Sequence, residues 1–235
     1  MIGIIDADSI IWRVAAAAQD VSFGVAKARF DTVMEDMMVF DLAECDNFEA
    51  FLTGKKNFRY DVAKTQPYKG NRVQEKPNNF ADLRDYSMRS WGFVETDGIE
   101  ADDAVGIMAT SGVDCTIVHI DKDIDMIPGK HYNFVKKMFY EVSPSEAIKK
   151  FYTQLLTGDR VDNIPGIAGI GPKKAEKILK DCTTEQELYE ACLKTYEGNL
   201  EYLNEQAQLL WIQQTNRLAW AAPIQADTQL CSLNG

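Results

Sequence analysis

Eight acidic residues have the types and spacing for metal-dependent chemistry. Asp6 closes a short apolar run, Glu100, Asp102 and Asp103 crowd into four positions, Asp121 and Asp123 follow the apolar run CTIVHI, and Asp159 and Asp162 stand three apart. So many like charges sit together only around cations. Oxygen ligands without histidine or cysteine beside them select magnesium or manganese. Two such ions can activate a water and stabilise the leaving oxygen when a phosphodiester is hydrolysed. No serine or cysteine stands with a histidine and an acid in an order that would support covalent catalysis. The two histidines, His119 and His131, are read as isolated and structural.

Basic and glycine-rich stretches complement the acids. From Gly158 the chain reads GDRVDNIPGIAGIGPKKAEKIL, to Leu179. Asp159 and Asp162 would share one face of a helical turn, and Pro165 would end that turn. Gly166, Gly169 and Gly171 permit positive φ and close backbone approach. Pro172 suits a first helical position, so Lys173, Lys174 and Lys177 lie on an amphipathic helix behind a glycine turn. Free N–H groups there would suit a phosphate. The plain alternative is a glycine-rich loop capping an ordinary helix. Between Gly54 and Lys76 stand seven basic and two acidic residues. This strip has few aliphatic residues and reads as a mobile, solvated segment. Within it YKGNR places Tyr68 where a ring could stack on a base, and Lys69 and Arg72 where charges could follow phosphates.

Short strands and helices must position these groups. The run to Asp6, followed by an alanine-rich helix over 9–19 capped by Asp8 or Ser9, puts an acid at a strand's carboxyl end, where open α/β sheets bind ligands. Helices are expected over 26–41 and 79–91, and strands over 48–53 and 92–96. A further helix opens at Glu100, a buried parallel-type strand spans 115–120, and two short strands lie within 132–142. Ser143-Pro144-Ser145-Glu146 is a capping box that starts a helix running to about 156. Acidic amphipathic helices follow over 184–196 and 199–220. The strand-end acids would then converge on the carboxyl edge of one sheet.

Composition sets the outer bounds. With 235 residues, 46% of them hydrophobic, the chain suits one large or two small domains. It contains no membrane span or signal peptide. Its five cysteines, Cys45, Cys115, Cys182, Cys192 and Cys231, are odd in number and scattered, which argues for a reducing compartment, the cytoplasm. The net charge of −11 makes the basic strip a local binding surface within an acidic protein.

Five motifs in this order resemble the flap endonuclease and 5′→3′ exonuclease family in its small bacteriophage and bacterial form. They are IIDADS, NFRYD…YKGNR, GIEADD, IDKDIDM and LTGDRVDNIPGIAGIGPKKAEKIL, and they span roughly residues 1–180. The resemblance implies a PIN-like α/β core over 1–142, with a mostly parallel sheet flanked by helices and a basic helical arch at about 54–80. It implies a helical region over 143–235 with a DNA-gripping helix–three-turn–helix at about 158–180, and a potassium ion at its glycine turn. Asp6, Glu100, Asp102, Asp121, Asp123, Asp159 and Asp162 become ligands of two Mg2+ or Mn2+ ions, direct or through water, with Asp103 supporting them. Lys69 and Arg72 become catalytic arch groups, Tyr68 a base-stacking group, and Gly169, Gly171, Lys173, Lys174 and Lys177 duplex contacts. One departure is Thr53, which stands where many relatives carry an aspartate. Asp61, a water or a weaker first metal are the alternatives there. The implied activity is structure-selective hydrolysis from 5′ ends, at flaps, nicks or RNA–DNA hybrids, as in primer removal, by a monomer in the cytoplasm (the host's, for a viral source). A non-catalytic branched-DNA-binding module of the same fold and a PIN-type ribonuclease are the rival readings.

Overall fold

The structure, a computed structural model, describes residues 1–73 and 75–223. Cys231 and positions 224–235 of the expected helical region lie outside the described residues. The chain divides into two compact units. The first comprises Met1–Asp61, Arg72–Ala147 and Ile212–Leu218; the second comprises Val62–Asn71, Ile148–Trp211 and the chain from Ala219. The division expected near 142 therefore falls inside a helix, and each unit borrows a distant segment.

The first unit is a six-stranded sheet with helices. β1 (Ile2–Asp6), β2 (Asn47–Leu52), β3 (Val94–Glu95) and β4 (Cys115–His119) are parallel, as is β5 (Gly129–Asn133) beside β4, while β6 (Met138–Val142) is antiparallel. The order is β3-β2-β1-β4-β5-β6. β1 and β4 are central, which is why they read as unbroken apolar runs: Ile4, Ile5, Ile117 and Val118 are fully buried. The expected strand over 92–96 shortens to two residues. Helix α1 (Ala7–Ala17) packs Ile10, Ile11 and Val14 into the core, and α2 (Phe23–Asp36) adds Ala26, Phe30 and Met34. α2 runs on through a π turn, Met37–Asp41, so the helix expected over 26–41 starts and changes pitch slightly differently. In chain order α3 (Arg59–Val62) comes next, then α4 (Phe80–Trp91) and α5 (Ala101–Ala109).

The second unit is helical. It takes most of α6 (Pro144–Thr157), then α7 (Pro172–Ile178), α8 (Glu185–Thr195) and α9 (Leu200–Leu210). The Ser143 capping box is present, with Glu146 N–H donating to Ser143 Oγ and Ser143 N–H to Glu146 Oε2. Phe151, Tyr152, Leu155, Leu188, Cys192, Leu203 and Trp211 form this unit's interior. No helix among the described residues is long and apolar enough to cross a membrane.

Candidate functional site

Parallel β1, β2 and β4 end at one edge, and the first unit's acids gather there. Asp6 is the last residue of β1 and the N-cap of α1. Burial, then the charges of Asp8 and Asp121, push its carboxyl up to about 7. The expected cap is thereby corrected. α1 starts two residues earlier than the sequence suggested, Ser9 Oγ donates to the Asp6 carbonyl at 3.0 Å, and Asp8 sits in the first turn. Asp8 instead accepts from Thr53 N–H at 2.9 Å and pairs with Arg84 at 3.1 Å. Arg84 also reaches the Thr53 carbonyl and Glu95.

The cluster after Gly98 is split in function by a buried arginine. Arg59 is 2% exposed and donates both guanidinium nitrogens to Asp103, at 2.5 and 2.9 Å. Glu100 Oε2 lies 3.6 Å from the same guanidinium. Asp103 also accepts from the backbone N–H of Glu100 and of Gln213. Its oxygens are engaged in these bonds, so Asp103 is the buried counter-ion of Arg59 that fixes the start of α5. The reading of Arg59 as one more solvated base in the strip is corrected by the same contacts. Glu100 is buried, while Asp102 is half-buried with one oxygen accepting from Asp103 N–H. Asp121 is exposed and caps the turn Lys122–Met126 by accepting from Asp123 N–H at 2.9 Å; Asp123 is half-buried. Thr53 Oγ accepts from Ala101 N–H at 2.9 Å, so the threonine at the departing position caps α5. The histidines are not isolated: His119 and His131 are buried, with His119 Nε2 2.8 Å from His131 Nδ1.

In the second unit the acidic loop and the YKGNR motif are stitched together. Asp159 and Ile164 exchange two backbone hydrogen bonds at 2.7 Å, closing the loop that carries Asp162. Asp159 and Asp162 therefore stand on a closed loop, not on the helical turn expected. Tyr68 Oη donates to Asp162 Oδ2 at 2.8 Å, Lys69 N–H donates to the Asp162 carbonyl, and Lys69 Nζ lies 3.6 Å from the same carboxylate. Asn163 Nδ2 donates to the Pro67 carbonyl and Asn71 Nδ2 to the Arg160 carbonyl. The YKGNR motif is not helical in this structure: Lys69 sits at φ 56° in a turn, and Tyr68 is 4% exposed. Arg72, exposed, falls to the first unit.

The glycines of this stretch have unequal reasons. Gly158 and Gly166 are back to back with positive φ; a Cβ on either would lie 2.3 Å from the backbone of the other strand of the loop. Gly169 also has positive φ, whereas Gly171 is an extended N-cap of α7, with Pro172 at its first position. Lys173, Lys174 and Lys177 are exposed, and Lys174 Nζ donates to the Gly169 carbonyl at 2.8 Å. Gly166 is held by Gln206 and Tyr202 of α9.

Sequence reasoning missed Arg59, Arg84 and Gln206. Arg59 carried one faint sign, an apolar neighbour, Phe58, inside a polar strip. Nothing local marked the other two.

The chain is similar to several known proteins. Residues 145–235 match the family model described as 5′-3′ exonuclease, C-terminal SAM fold. The chain is 30% identical over 193 residues to DNA polymerase I of Rhizobium leguminosarum, covering 74% of this chain and 17% of that protein. It is 32% identical over 162 residues to the 5′-3′ exonuclease of Bacillus subtilis strain 168, covering 58% of this chain and 52% of that protein. It thus spans from about a sixth to about half the length of these relatives. Among solved structures, the bacteriophage T5 D15 flap endonuclease in complex with DNA and metal ions superposes with a TM-score of 0.68 at 16% identity, covering 89% of this chain and 88% of that one. The chain shares the fold of that flap endonuclease. The chain is thus similar to 5′-3′ exonucleases over part of their length and to a flap endonuclease in fold.

Proposed function

We propose that the protein is a divalent-metal-dependent, structure-selective 5′ nuclease that hydrolyses phosphodiesters of branched, nicked or RNA-primed duplex DNA, as primer removal in replication requires. The observation that carries the reading is the state of Asp6. A buried carboxylate forced up to about 7 beside Asp8 and Asp121, at a sheet edge that also presents Glu100 and Asp102, is a place where a hard cation relieves charge. Asp6, Glu100, Asp102, Asp121 and Asp123 are the proposed ligand set of the first unit, with Asp103 held by Arg59 behind them. Asp159 and Asp162 carry the same proposed role in the second unit. Mg2+ fits the all-oxygen donors, and Mn2+ is the alternative. When bound, such ions supply an activated water and charge neutralisation on the phosphate.

The chain's own residues orient and bind. Arg59 and Asp103 hold Glu100 at the helix start. Lys173, Lys174 and Lys177 contact duplex phosphates without reading bases. A potassium ion at the Gly166–Gly171 turn belongs to this proposal. So do a catalytic part for Lys69 and Arg72, a monomeric state and a cytoplasmic setting. The exposed basic helix start favours duplex over single-stranded RNA as substrate. The rival non-catalytic module draws on Thr53, whose hydroxyl caps α5 where an aspartate would add a ligand.

The test is release of product from 5′-labelled flap, nick, overhang and RNA–DNA hybrid substrates with and without Mg2+. Cleavage should require the metal, and Asp121→Asn should abolish it while the melting temperature stays within a few degrees or rises. Binding without product by the wild-type chain would establish the module instead.

A further inference from the structure

The sheet brings three unusual side chains to one face. His131 on β5 lies opposite Ile117 of β4 in one direction and Tyr140 of β6 in the other. His119, two residues beyond Ile117, shares that face. The His131 ring stacks on Tyr140 at 5.2 Å and meets His119 edge-on at 5.0 Å. Asp125, in the turn Lys122–Met126, completes the group.

Hydrogen-bond accounting fixes the tautomers. His131 Nε2 lies 2.8 Å from the Ile127 carbonyl, and His119 Nδ1 lies 2.5 Å from the Asp121 carbonyl. A carbonyl only accepts, so both of these nitrogens carry hydrogen. In neutral rings the two remaining nitrogens, His119 Nε2 and His131 Nδ1, are both lone pairs. They face each other at 2.8 Å in a dry interior, with the rings 1% and 0% exposed. Tyr140 Oη spends its hydrogen on Asp125 Oδ1 at 2.7 Å, so it too turns lone pairs toward His119 Nε2, at 3.1 Å. Three lone-pair groups converge, the two ring nitrogens and Tyr140 Oη, and no hydrogen lies between the rings.

From this convergence we infer that His119, His131 and Asp125, with Tyr140 beside them, form a site for one divalent transition-metal ion of borderline softness, such as Zn2+, separate from the carboxylate edge. Two imidazoles and a carboxylate are a donor set for such an ion. Each imidazole gives its far N–H to a carbonyl, the arrangement that orients metal-ligating histidines. The candidate ligand atoms lie within 4.8 Å of one another. In a tetrahedral site with bonds of about 2.0–2.1 Å the ligand atoms stand about 3.4 Å apart, so the widest pair closes by up to about 1.4 Å, through the partly exposed Asp125, and the facing ring nitrogens open by about half an ångström. A proton shared between the rings is the competing occupant. An ion here would anchor the loop that begins at Asp121 through the His119 hydrogen bond to its backbone.

The experiment uses the full chain, stripped with chelator and then loaded with Co2+ in excess Mg2+, which occupies all-oxygen sites. A single retained Co2+ should give a visible d–d spectrum with imidazole character, and Zn2+ should displace it. His131→Gln should weaken Co2+ binding at least on the order of a hundredfold, and Asp125→Asn tenfold or more. Asp125 is at the surface end of the cluster, so Asp125→Asn should fold, and circular dichroism checks both variants. No retained ion in the wild type overturns the inference, as does a spectrum unchanged in both variants. A proton resonance shared between the two rings in Zn2+-treated protein overturns it too.

Discussion

Asp6→Asn should make the metal-free protein more stable. The Asp6 carboxyl titrates near 7 in the folded chain and near 3.8 when exposed. Because the folded value is the higher one, the folded state holds this proton more tightly than the unfolded state. Its cost is nil below about pH 4, grows as pH rises, and is complete above about 7. Three pH units at about 1.4 kcal/mol each set a ceiling of roughly 4 kcal/mol, and relaxation around the charge brings the realised gain to about half of that. Asparagine has the same shape and no charge, so the variant escapes the cost. For a chain of this size each kcal/mol moves the melting temperature by about 2–4 °C. In chelator at pH 8 the variant should melt several degrees higher, and at pH 4.5 the two should nearly coincide. Added Mg2+ should raise the wild type and leave the variant where it was. A gap independent of pH, or a variant less stable at pH 8, would refute the claim that Asp6 is a strained, cation-seeking carboxylate.

Other perturbations follow from the same contacts. Arg59→Ala strands a buried Asp103 and should cost about 3–5 kcal/mol of stability, read by urea denaturation; Arg59→Lys, which cannot fork two oxygens, should restore only part of it. Replacing Lys173 and Lys174 by alanine should weaken duplex binding evenly across sequences and flatten the salt slope by about one to two units; losses that depend on sequence would mean base readout. Lys69→Ala should slow single-turnover cleavage on the order of a hundredfold with a far smaller effect on affinity measured in Ca2+. Equal losses in both would show a recruiting role.

Periodicity and strand ends made the parallel sheet legible, because Ile4, Ile5, Ile117 and Val118 have no polar alternation to confuse with a helix. The acids at those ends were legible for the same reason. What could not be read was which charges cancel. Arg59 reaches Asp103 across 44 residues and Arg84 reaches Asp8 across 76, distances over which sequence carries no pattern. The basic strip misled because its composition is that of a solvated loop, yet Arg59 and Tyr68 spend their polar atoms on Asp103 and Asp162 and are buried as a result. Gly171 matched the pattern of a left-handed turn, but proline at the next position favours extended backbone before it.

The backbone donor that Gln213 offers to Asp103 has a consequence for the order of synthesis. Asp103 is 110 residues earlier in the chain, and the segment that satisfies it, Ile212–Leu218, belongs to the sheet unit. A ribosome must therefore make α6 to α9 before it releases the last piece of the unit it began with. During that interval the Arg59–Asp103 pair lacks one of its partners and the groove of Gly106, whose Cα faces the Gln213 carbonyl, stands open. The helical unit draws on a still later piece, the chain from Ala219, so neither unit is complete until the C-terminal part of the chain has been made.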